Sequence, residues 1–383
     1  MIQLKKFTIN EVKMSNPRFI DTRDQSFFGN YIYDLVVPQD HFLRLLNQLI
    51  PWDAFTDELT ELYAGGGEYG RPPFNPTQLL KMCLLARFYN LTGRQVEIFV
   101  NENLPAKYFV GLGLDHRAPD HSTLSVFKDR LIKNGNLQIF EEILERIIAA
   151  AQQSGIKFGT IQIIDSVHSE AYVNTAKDKS RKDDGKGRRD PDANWGVKGK
   201  QKSKDQKGKD VYQVKYFYGY KGHVSMNAEN NLITSLEVTS GEVYDGHYFC
   251  SLVEHDLAQN LPIETYAADR GYDDGNNHFF LQEHRLNSAI CLKDNRTKKK
   301  DANKQIWLEM IQTPAYKQGL KERYKIERKF GEAKQNHGLG RCRYLGLLGF
   351  GVQAYFTAIA LNLKRIVKLQ TGVGLKTRRP ALT

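Results

Sequence analysis

Apolar residues in the first 155 positions recur every three to four residues, which predicts amphipathic helices. The predicted helices cover residues 39–50, two segments within 75–104 that separate at Thr92, 120–133 and 136–153. Asn75 is a suitable N-cap, because Pro76 follows it at the first helical position. Short helices joined by short turns are typical of a helix-turn-helix DNA-binding unit, but a structural helical bundle has the same spacing.

The hydrophobic pattern changes near residue 159. Residues 160–173 alternate β-branched and polar side chains, which predicts a strand. Residues 215–227 and 232–240 predict a hairpin that turns at 229–231. Helix and strand patterns then alternate up to the strand NSAICLK. Strands followed by alternating helices and strands indicate an α/β domain with a mixed sheet, preceded by an all-α helical domain.

These changes of pattern predict four divisions of the chain. They are an N-terminal segment (1–70), a helical domain with the candidate DNA-binding unit (71–155), an α/β domain (156–345), and a C-terminal helix with a basic tail (346–383). Within the α/β domain, residues 177–209 carry 13 basic and 6 acidic side chains and few apolar ones. Such a segment cannot fold alone, so we expect a flexible basic insertion.

Charge and cysteine content narrow the class of protein. The chain has 383 residues, with 55 Lys and Arg against 44 Asp and Glu, a net charge of +11. This excess favours a polyanionic partner such as nucleic acid, although a merely soluble basic protein is an equal alternative. The four cysteines form no C-x-x-C pair, which argues against a disulfide framework and a cysteine zinc site.

One long uncharged stretch, residues 344–363, has the length of a membrane span. Three glycines lie in its first eight residues, and Gln353, Thr357 and Asn362 interrupt the remainder. We therefore predict a glycine-rich loop followed by a buried helix, with no membrane contact.

Two aspartates follow predicted strands. Asp165 comes after the apolar run IQII, and Asp269 comes after the short apolar segment in AADRGYDD. A buried acid is costly unless it is paired or binds a metal. Each aspartate taken alone is equally consistent with a turn or a helix cap.

A glutamate on a later helix is the third candidate. At about 100° per residue, Glu327 shares a helix face with Arg323 and Lys334 and borders an apolar stripe. Glu322 and Glu332 point elsewhere and are interpreted as surface charges. For Glu327, an intrahelical ion pair with Arg323 is the alternative.

Asp165, Asp269 and Glu327 together form a ligand set for two Mg²⁺ ions, with Mn²⁺ as a substitute. Two such ions can activate a hydroxyl group and stabilise the leaving oxygen in phosphoryl transfer. The basic surroundings would hold a phosphodiester backbone beside them.

Several ordered motifs resemble bacterial insertion-sequence transposases of the DDE type. IIDSVHSEA is similar to the first catalytic segment, AADRGYD to the second, and RYKIERKFGEAK with the following HGLGRCRYLG to the third. The third most resembles the branch with a Tyr-x-x-Arg-x-x-x-Glu-x-x-x-x-x-x-Lys signature, matched by Arg323, Glu327 and Lys334. The likeness extends over residues 35–365.

The resemblance implies a ribonuclease-H-like catalytic domain that cuts and joins DNA through Asp165, Asp269 and Glu327. It implies double-stranded DNA as partner, both terminal inverted repeats and target, a homodimer in the active complex, and a cytoplasmic protein at the bacterial nucleoid. It also implies that Arg323 and Lys334 contact DNA near the cleaved end.

Four positions near these motifs have a role that the sequence leaves open. Lys221 and His223 in GYKGH are candidate DNA contacts or residues of a solvent-facing strand. Asp245 precedes a predicted helix and is interpreted as its N-cap. Leu320 stands where the signature has a tyrosine, which leaves that tyrosine's role unassigned.

Two other functions share this sequence pattern. A catalytically inactive DNA-binding protein would bind specific sites without cleavage. A metal-dependent nuclease would use the same acids without joining strands.

Overall fold

The computed structural model describes residues 19–20, 22, 27–63, 72–132, 135–183, 185–204, 210–298 and 303–375. The first eighteen residues, the glycine-rich break at 64–71 and the end of the basic tail at 376–383 lie outside this part. Eight described helices precede the first strand: α1 (Phe27–Val36), α2 (Phe42–Leu49), α3 (Thr56–Glu61), α4 (Pro76–Phe88), α5 (Gly93–Glu102), α6 (Leu104–Val110), α7 (His121–Leu131) and α8 (Gln138–Gln153).

Local capping sets the limits of these helices. The Asn75 side chain accepts a hydrogen bond from the Thr77 amide, and Pro76 occupies the first position of α4, as predicted. Thr92 and Gln95 form a capping box at the start of α5. Every residue of α4 is buried, so α4 lies at the centre of the helical region.

The second half contains the sheet and seven more described helices. The strands are β1 (Ile161–Glu170), β2 (Asn194–Lys204), β3 (Asp210–Asn227), β4 (Ile233–Ser240), β5 (Thr265–Ala268) and β6 (Asn287–Ile290). The helices are α9 (Thr175–Asp183), α10 (Phe249–Ala258), α11 (Gly275–Glu283), α12 (Lys304–Met310), α13 (Pro314–Glu322), α14 (Tyr324–His337) and α15 (Gly346–Thr371).

The long strand β3 organises a mixed sheet. One edge of β3 pairs antiparallel with β1, and its other edge pairs with β2 along the first half and with β4 along the second. Strands β5 and β6 continue the sheet beyond β1 in parallel. The predicted mixed sheet and the hairpin between β3 and β4 are confirmed, and this strand order agrees with the expected ribonuclease-H-like fold.

The C-terminal half of β1 is covered by the chain that follows α14. Strand β5 pairs with β1 only from Ile161 to Ile164. Farther along β1, the Glu170 amide donates to the Gly340 carbonyl, and the Cys342 amide donates to the Glu170 carbonyl. These bonds fix the end of α14 beside β1, where an unpaired edge would otherwise be exposed.

The basic insertion contains more regular structure than its composition predicts. Residues Thr175–Asp183 form α9, and residues Asn194–Lys204 form β2. The expectation of a flexible insertion is therefore wrong for these residues. The segment does not fold alone, because the hydrogen bonds of β2 are made with β3, which extends beyond β1 and β4.

Helix α15 is the core helix that joins the two halves. By length and composition it could cross a membrane, but 78% of its most apolar window is buried inside the protein. Gln353 bonds the backbone of Gly338 and Arg341, and Asn362 bonds both backbone groups of Ile233. These polar side chains, which interrupt the uncharged stretch, hold the neighbouring backbone in place.

The predicted glycine-rich loop before this helix is wrong, because α15 already begins at Gly346. A Cβ atom at Gly351 would lie 2.3 Å from a side-chain carbon of Leu137. The glycine therefore permits close packing of α15 against the residue that precedes α8.

Gly319 in α13 allows a similar approach to the sheet, and it provides a test of this packing. A Cβ atom there would lie 2.4 Å from the Ala289 Cβ atom on β6. We expect Gly319→Ala to lower the free energy of unfolding by about 1–3 kcal/mol, measured by urea titration. The matched control is Gly331→Ala in α14, where no atom lies within 4 Å of the added carbon. The control should raise stability by about 0.5–1 kcal/mol; equal effects of both substitutions would contradict the packing argument.

Candidate active site

Parallel pairing of β1 and β5 brings the two predicted aspartates together. Ile164 pairs with Ala268 in this ladder, and Asp165 and Asp269 are the next residue of each strand. Parallel strands in register place these two side chains side by side. The sequence predicted two acids at strand ends; Asp269 directly follows β5, whereas Asp165 lies within β1, which continues to Glu170.

This proximity changes the protonation of Asp165. Burial, followed by the charge of Asp269, raises the pKa of Asp165 to about 7. The Ser166 amide donates to Asp165 Oδ1 at 2.8 Å, and Arg323 Nη1 lies 3.8 Å from Asp165 Oδ2. Both contacts stabilise the charged form of Asp165. They lower its pKa by less than burial and repulsion from Asp269 raise it.

Glu327 lies on the other side of Arg323. The Arg323 guanidinium contacts Glu327 Oε1 at 2.9 Å, so the predicted intrahelical pair is present. The Glu327 side chain is 56% exposed, and Arg323 stands between it and Asp165. In the described ranges, no group of three or more His, Cys, Asp or Glu side chains is arranged to hold a metal ion.

Arg323 lies at the junction of two consecutive helices. Helix α13 ends at Glu322 and α14 begins at Tyr324, and Arg323 between them keeps right-handed helical backbone angles. Leu320, on α13, packs against the hydrophobic core.

A fourth acid, Asp245, belongs to the same site. It begins a short 3₁₀ helix at 245–248, but its side chain does not cap that helix, so the N-cap interpretation is wrong. Asp245 Oδ2 accepts from Ser166 Oγ at 2.9 Å, and its Oδ1 accepts from Lys221 Nζ at 2.8 Å. These bonds join Asp245 to β1 and β3, directly beside Asp165.

Lys221 and His223 lie behind Asp245. The Lys221 ammonium is 12% exposed and also donates to the Val243 carbonyl. The His223 ring is fully buried, stacks on Tyr248 and contacts Thr239 Oγ1 at 2.9 Å. Burial lowers the pKa of His223 to about 4, so the ring is neutral at pH 7. This burial leaves His223 no surface for DNA, and both residues instead support Asp245.

Lys334 projects toward the edge of the site, about two turns beyond Glu327 on α14. Its Nζ atom lies 3.2 Å from His168 Nε2 on β1. Burial and then the charge of Lys198 lower the pKa of Lys334 to about 8. Lys198, on β2, contacts Glu170 at 3.8 Å. No sequence pattern identifies Lys198 as a site residue, because its position depends on the pairing of β2 with β3.

Tyr272 is a further residue that the sequence reasoning did not select. Its side chain is fully buried, and burial raises its pKa well above the usual value, together with the charges of Asp165, Asp245 and Asp269. The sequence feature that could have identified Tyr272 is its place in AADRGYDD, three residues after Asp269.

Two family profiles match this chain. The one described as a transposase domain (DUF772) covers residues 31–130, and the one described as a transposase DDE domain covers residues 157–363. The second match covers more than half of the chain and contains Asp165, Asp269 and Glu327. The chain belongs to the DDE transposase family. No solved structure matches it. The assignment to the branch with the Tyr-Arg-Glu-Lys signature stays a prediction.

The donor set of this transposase fits a hard divalent cation. Asp165 and Asp269 are adjacent carboxylates, and the raised pKa of Asp165 shows that the nearby guanidinium does not compensate their burial and repulsion. A Mg²⁺ ion accepts carboxylate oxygens and provides more charge than Arg323. Asp165 and Asp269 are the residues that would hold such an ion.

The raised pKa of Asp165 predicts a pH-dependent effect on stability. In EDTA, Asp165→Asn should raise the free energy of unfolding above pH 7 by on the order of 2 kcal/mol, since the charged form of Asp165 is the destabilising one. Below about pH 3 Asp165 is mostly protonated in both the folded and unfolded states, so the difference should vanish. Urea titrations at pH 3, 6 and 8 measure it, and an advantage that grows as the pH falls would contradict the assignment.

Proposed function

We propose that this transposase binds the terminal inverted repeats of an insertion sequence and performs Mg²⁺-dependent strand cleavage and strand transfer. The adjacency of Asp165, within β1, and Asp269, directly after the parallel strand β5, carries this proposal. Glu327 is separated from Asp165 by a single side chain, Arg323. Two adjacent aspartates and a glutamate from a helix suit phosphoryl transfer on DNA.

The catalytic carboxylates have distinct tasks in this proposal. When bound, two Mg²⁺ ions would activate the attacking oxygen and stabilise the leaving oxygen, and Mn²⁺ is expected to substitute. Asp165 provides a fixed ligand because it lies within β1, and Asp269 because it directly follows β5 and accepts from the Gly271 amide. Glu327 is the adjustable ligand, because its side chain is exposed and is paired with Arg323.

Arg323 would change partners when DNA binds. Without DNA its guanidinium neutralises Asp165 and Glu327, and with DNA it would contact a phosphate, for which its bidentate geometry is suited. Lys334 and Lys198 extend this basic edge along the DNA backbone. Lys221 is assigned a positioning role, since it already donates to Asp245 and to Val243.

Two further proposals concern recognition of the DNA ends and the oligomeric state of the active complex. The N-terminal helices are proposed to recognise the terminal repeats, and the active complex is proposed to be a homodimer of a soluble protein on double-stranded DNA. The helical region contains the match described as a transposase domain, which supports a role in transposition.

The three carboxylates can be tested by single substitutions. We expect Asp165→Ala, Asp269→Ala and Glu327→Ala each to reduce DNA cleavage with Mg²⁺ by at least about 10³-fold while DNA binding is retained, because binding depends on basic residues. Glu322→Gln is the control, since Glu322 pairs with Lys325 away from the site. Cleavage is measured on end-labelled DNA that carries the element's ends.

A pre-cleaved end with a free 3′-hydroxyl group separates transposition from simple hydrolysis. Joined product that depends on the same three residues supports strand transfer. Cleavage without any joining would identify a nuclease, and binding without either reaction would identify an inactive DNA-binding protein.

Replacement of Arg323 tests its position between the acids. Arg323→Ala should strengthen Mn²⁺ binding to the DNA-free protein by roughly tenfold, since a competing cation is removed. The same change should reduce DNA cleavage, because a phosphate contact is lost. Calorimetry measures the metal affinity, with Arg328→Ala on the opposite face of α14 as the control. Unchanged or weaker Mn²⁺ binding in Arg323→Ala would contradict this role.

A further inference from the structure

A second basic region lies on the other side of α14. It is a cavity of about 510 Å³ between α14, α15 and the turn that joins β3 to β4. Six cationic residues line it, and Glu332 is the acidic residue among its lining. The cations are Lys325, Arg328, Lys329, Lys364, Arg365 and Lys368.

This cavity, here called the α14–α15 cavity, is separate from the active site. At about 100° per residue, Lys325 and Lys329 lie about 160° around α14 from Glu327. Glu332 lies on the same far side. Helix α14 therefore has the candidate metal ligand on one face and a cationic cavity on the other.

The lining of the cavity carries more positive than negative charge. Glu332 accepts from Lys364 at 2.7 Å and contacts Lys329 at 3.4 Å. Lys325 pairs with Glu322, which lies outside the cavity lining. Within the described part of the chain, Arg328 and Lys368 have no carboxylate partner.

One of these cations, Lys329, is buried, which is energetically unfavourable for its charged form. The Lys329 side chain is only 9% exposed, and its one carboxylate partner is shared with Lys364. Burial lowers the pKa of Lys329, and the charges of Arg365 and Lys364 lower it further. A buried ammonium beside two other cations is unfavourable unless an anion joins them.

We propose that the α14–α15 cavity binds backbone phosphates of a second DNA segment, distinct from the segment at the carboxylates. Phosphate oxygens accept from several ammonium and guanidinium groups at once, which matches a lining of lysines and arginines. The open side of the cavity is formed by Arg328 and Lys368, both exposed, so a duplex can approach them. DNA is named as the source of the phosphate on the basis of the proposed function.

The test measures how the affinity for duplex DNA depends on salt. Each phosphate contact contributes about 0.9 to the slope of log K against log salt concentration. The double variant Arg328→Gln/Lys368→Gln should therefore reduce the slope by about 1.8. Lys317→Gln/Lys321→Gln is the control, because it removes the same charge from exposed positions of α13 outside the cavity. The measurements are made in EDTA, so they do not depend on catalysis.

A parallel calorimetric titration with pyrophosphate distinguishes a free phosphate ligand from DNA. A reduced slope in the cavity variant alone supports the proposal. Pyrophosphate binding that the cavity variant loses, with an unchanged DNA slope, would overturn DNA as the occupant. Equal slopes for both double variants and the unmodified protein, without pyrophosphate binding, would overturn the site itself. The carboxylate variants retain DNA binding, so failure of the catalytic assignment would leave this result unaffected.

The two substituted side chains are exposed, so the variant should remain folded. As a second variant, Lys329→Met removes the buried ammonium but retains its apolar stem. This variant should gain thermal stability in the absence of DNA and should lose part of the DNA-induced increase in melting temperature. A DNA-induced increase in melting temperature equal to that of the unmodified protein would count against the proposal.

Discussion

Repulsion between two adjacent carboxylates is the constraint around which the catalytic half of this transposase is arranged. Parallel pairing of β1 and β5 places Asp165 and Asp269 side by side, and burial together with the charge of Asp269 raises the pKa of Asp165 to about 7. Asp165 lies within β1, and Asp269 directly follows β5 and accepts a hydrogen bond from the Gly271 amide, so both acids are held in place. The charge must be met by a cation, which is Arg323 in this structure and a divalent metal in the proposed active state.

The short length of β5 determines which segment of the chain places Arg323 beside Asp165. Strand β5 leaves the second half of β1 unpaired, and the chain after α14 occupies this edge through Glu170. Gln353 of α15 fixes the same segment by bonds to Gly338 and Arg341. Packing of α15 in the core thereby aligns α14 with β1, which puts Arg323 beside Asp165 and Lys334 beside His168.

The excess of basic residues is divided between separate surfaces. Arg323, Lys334 and Lys198 border the carboxylates, whereas the α14–α15 cavity collects six cations on the opposite face of α14. A transposase that joins an element end to another DNA must hold more than one DNA segment. Two cationic faces on one helix provide a physical means to do so.

The sequence alone determined the features that depend on neighbouring residues. Asn75 and Thr92 start helices because a cap satisfies amides two or three positions away, and acids follow the apolar strands at Asp165 and Asp269. The tertiary structure alone decided the role of Asp245, whose partners Ser166 and Lys221 lie 79 and 24 residues away. It also decided that part of the basic insertion forms β2, because composition does not reveal that β3 extends far enough to pair with it. Capping and hydrophobic periodicity depend on residues that are close in sequence. Charge pairing across a sheet depends instead on strand register and packing, which bring together residues distant in the chain.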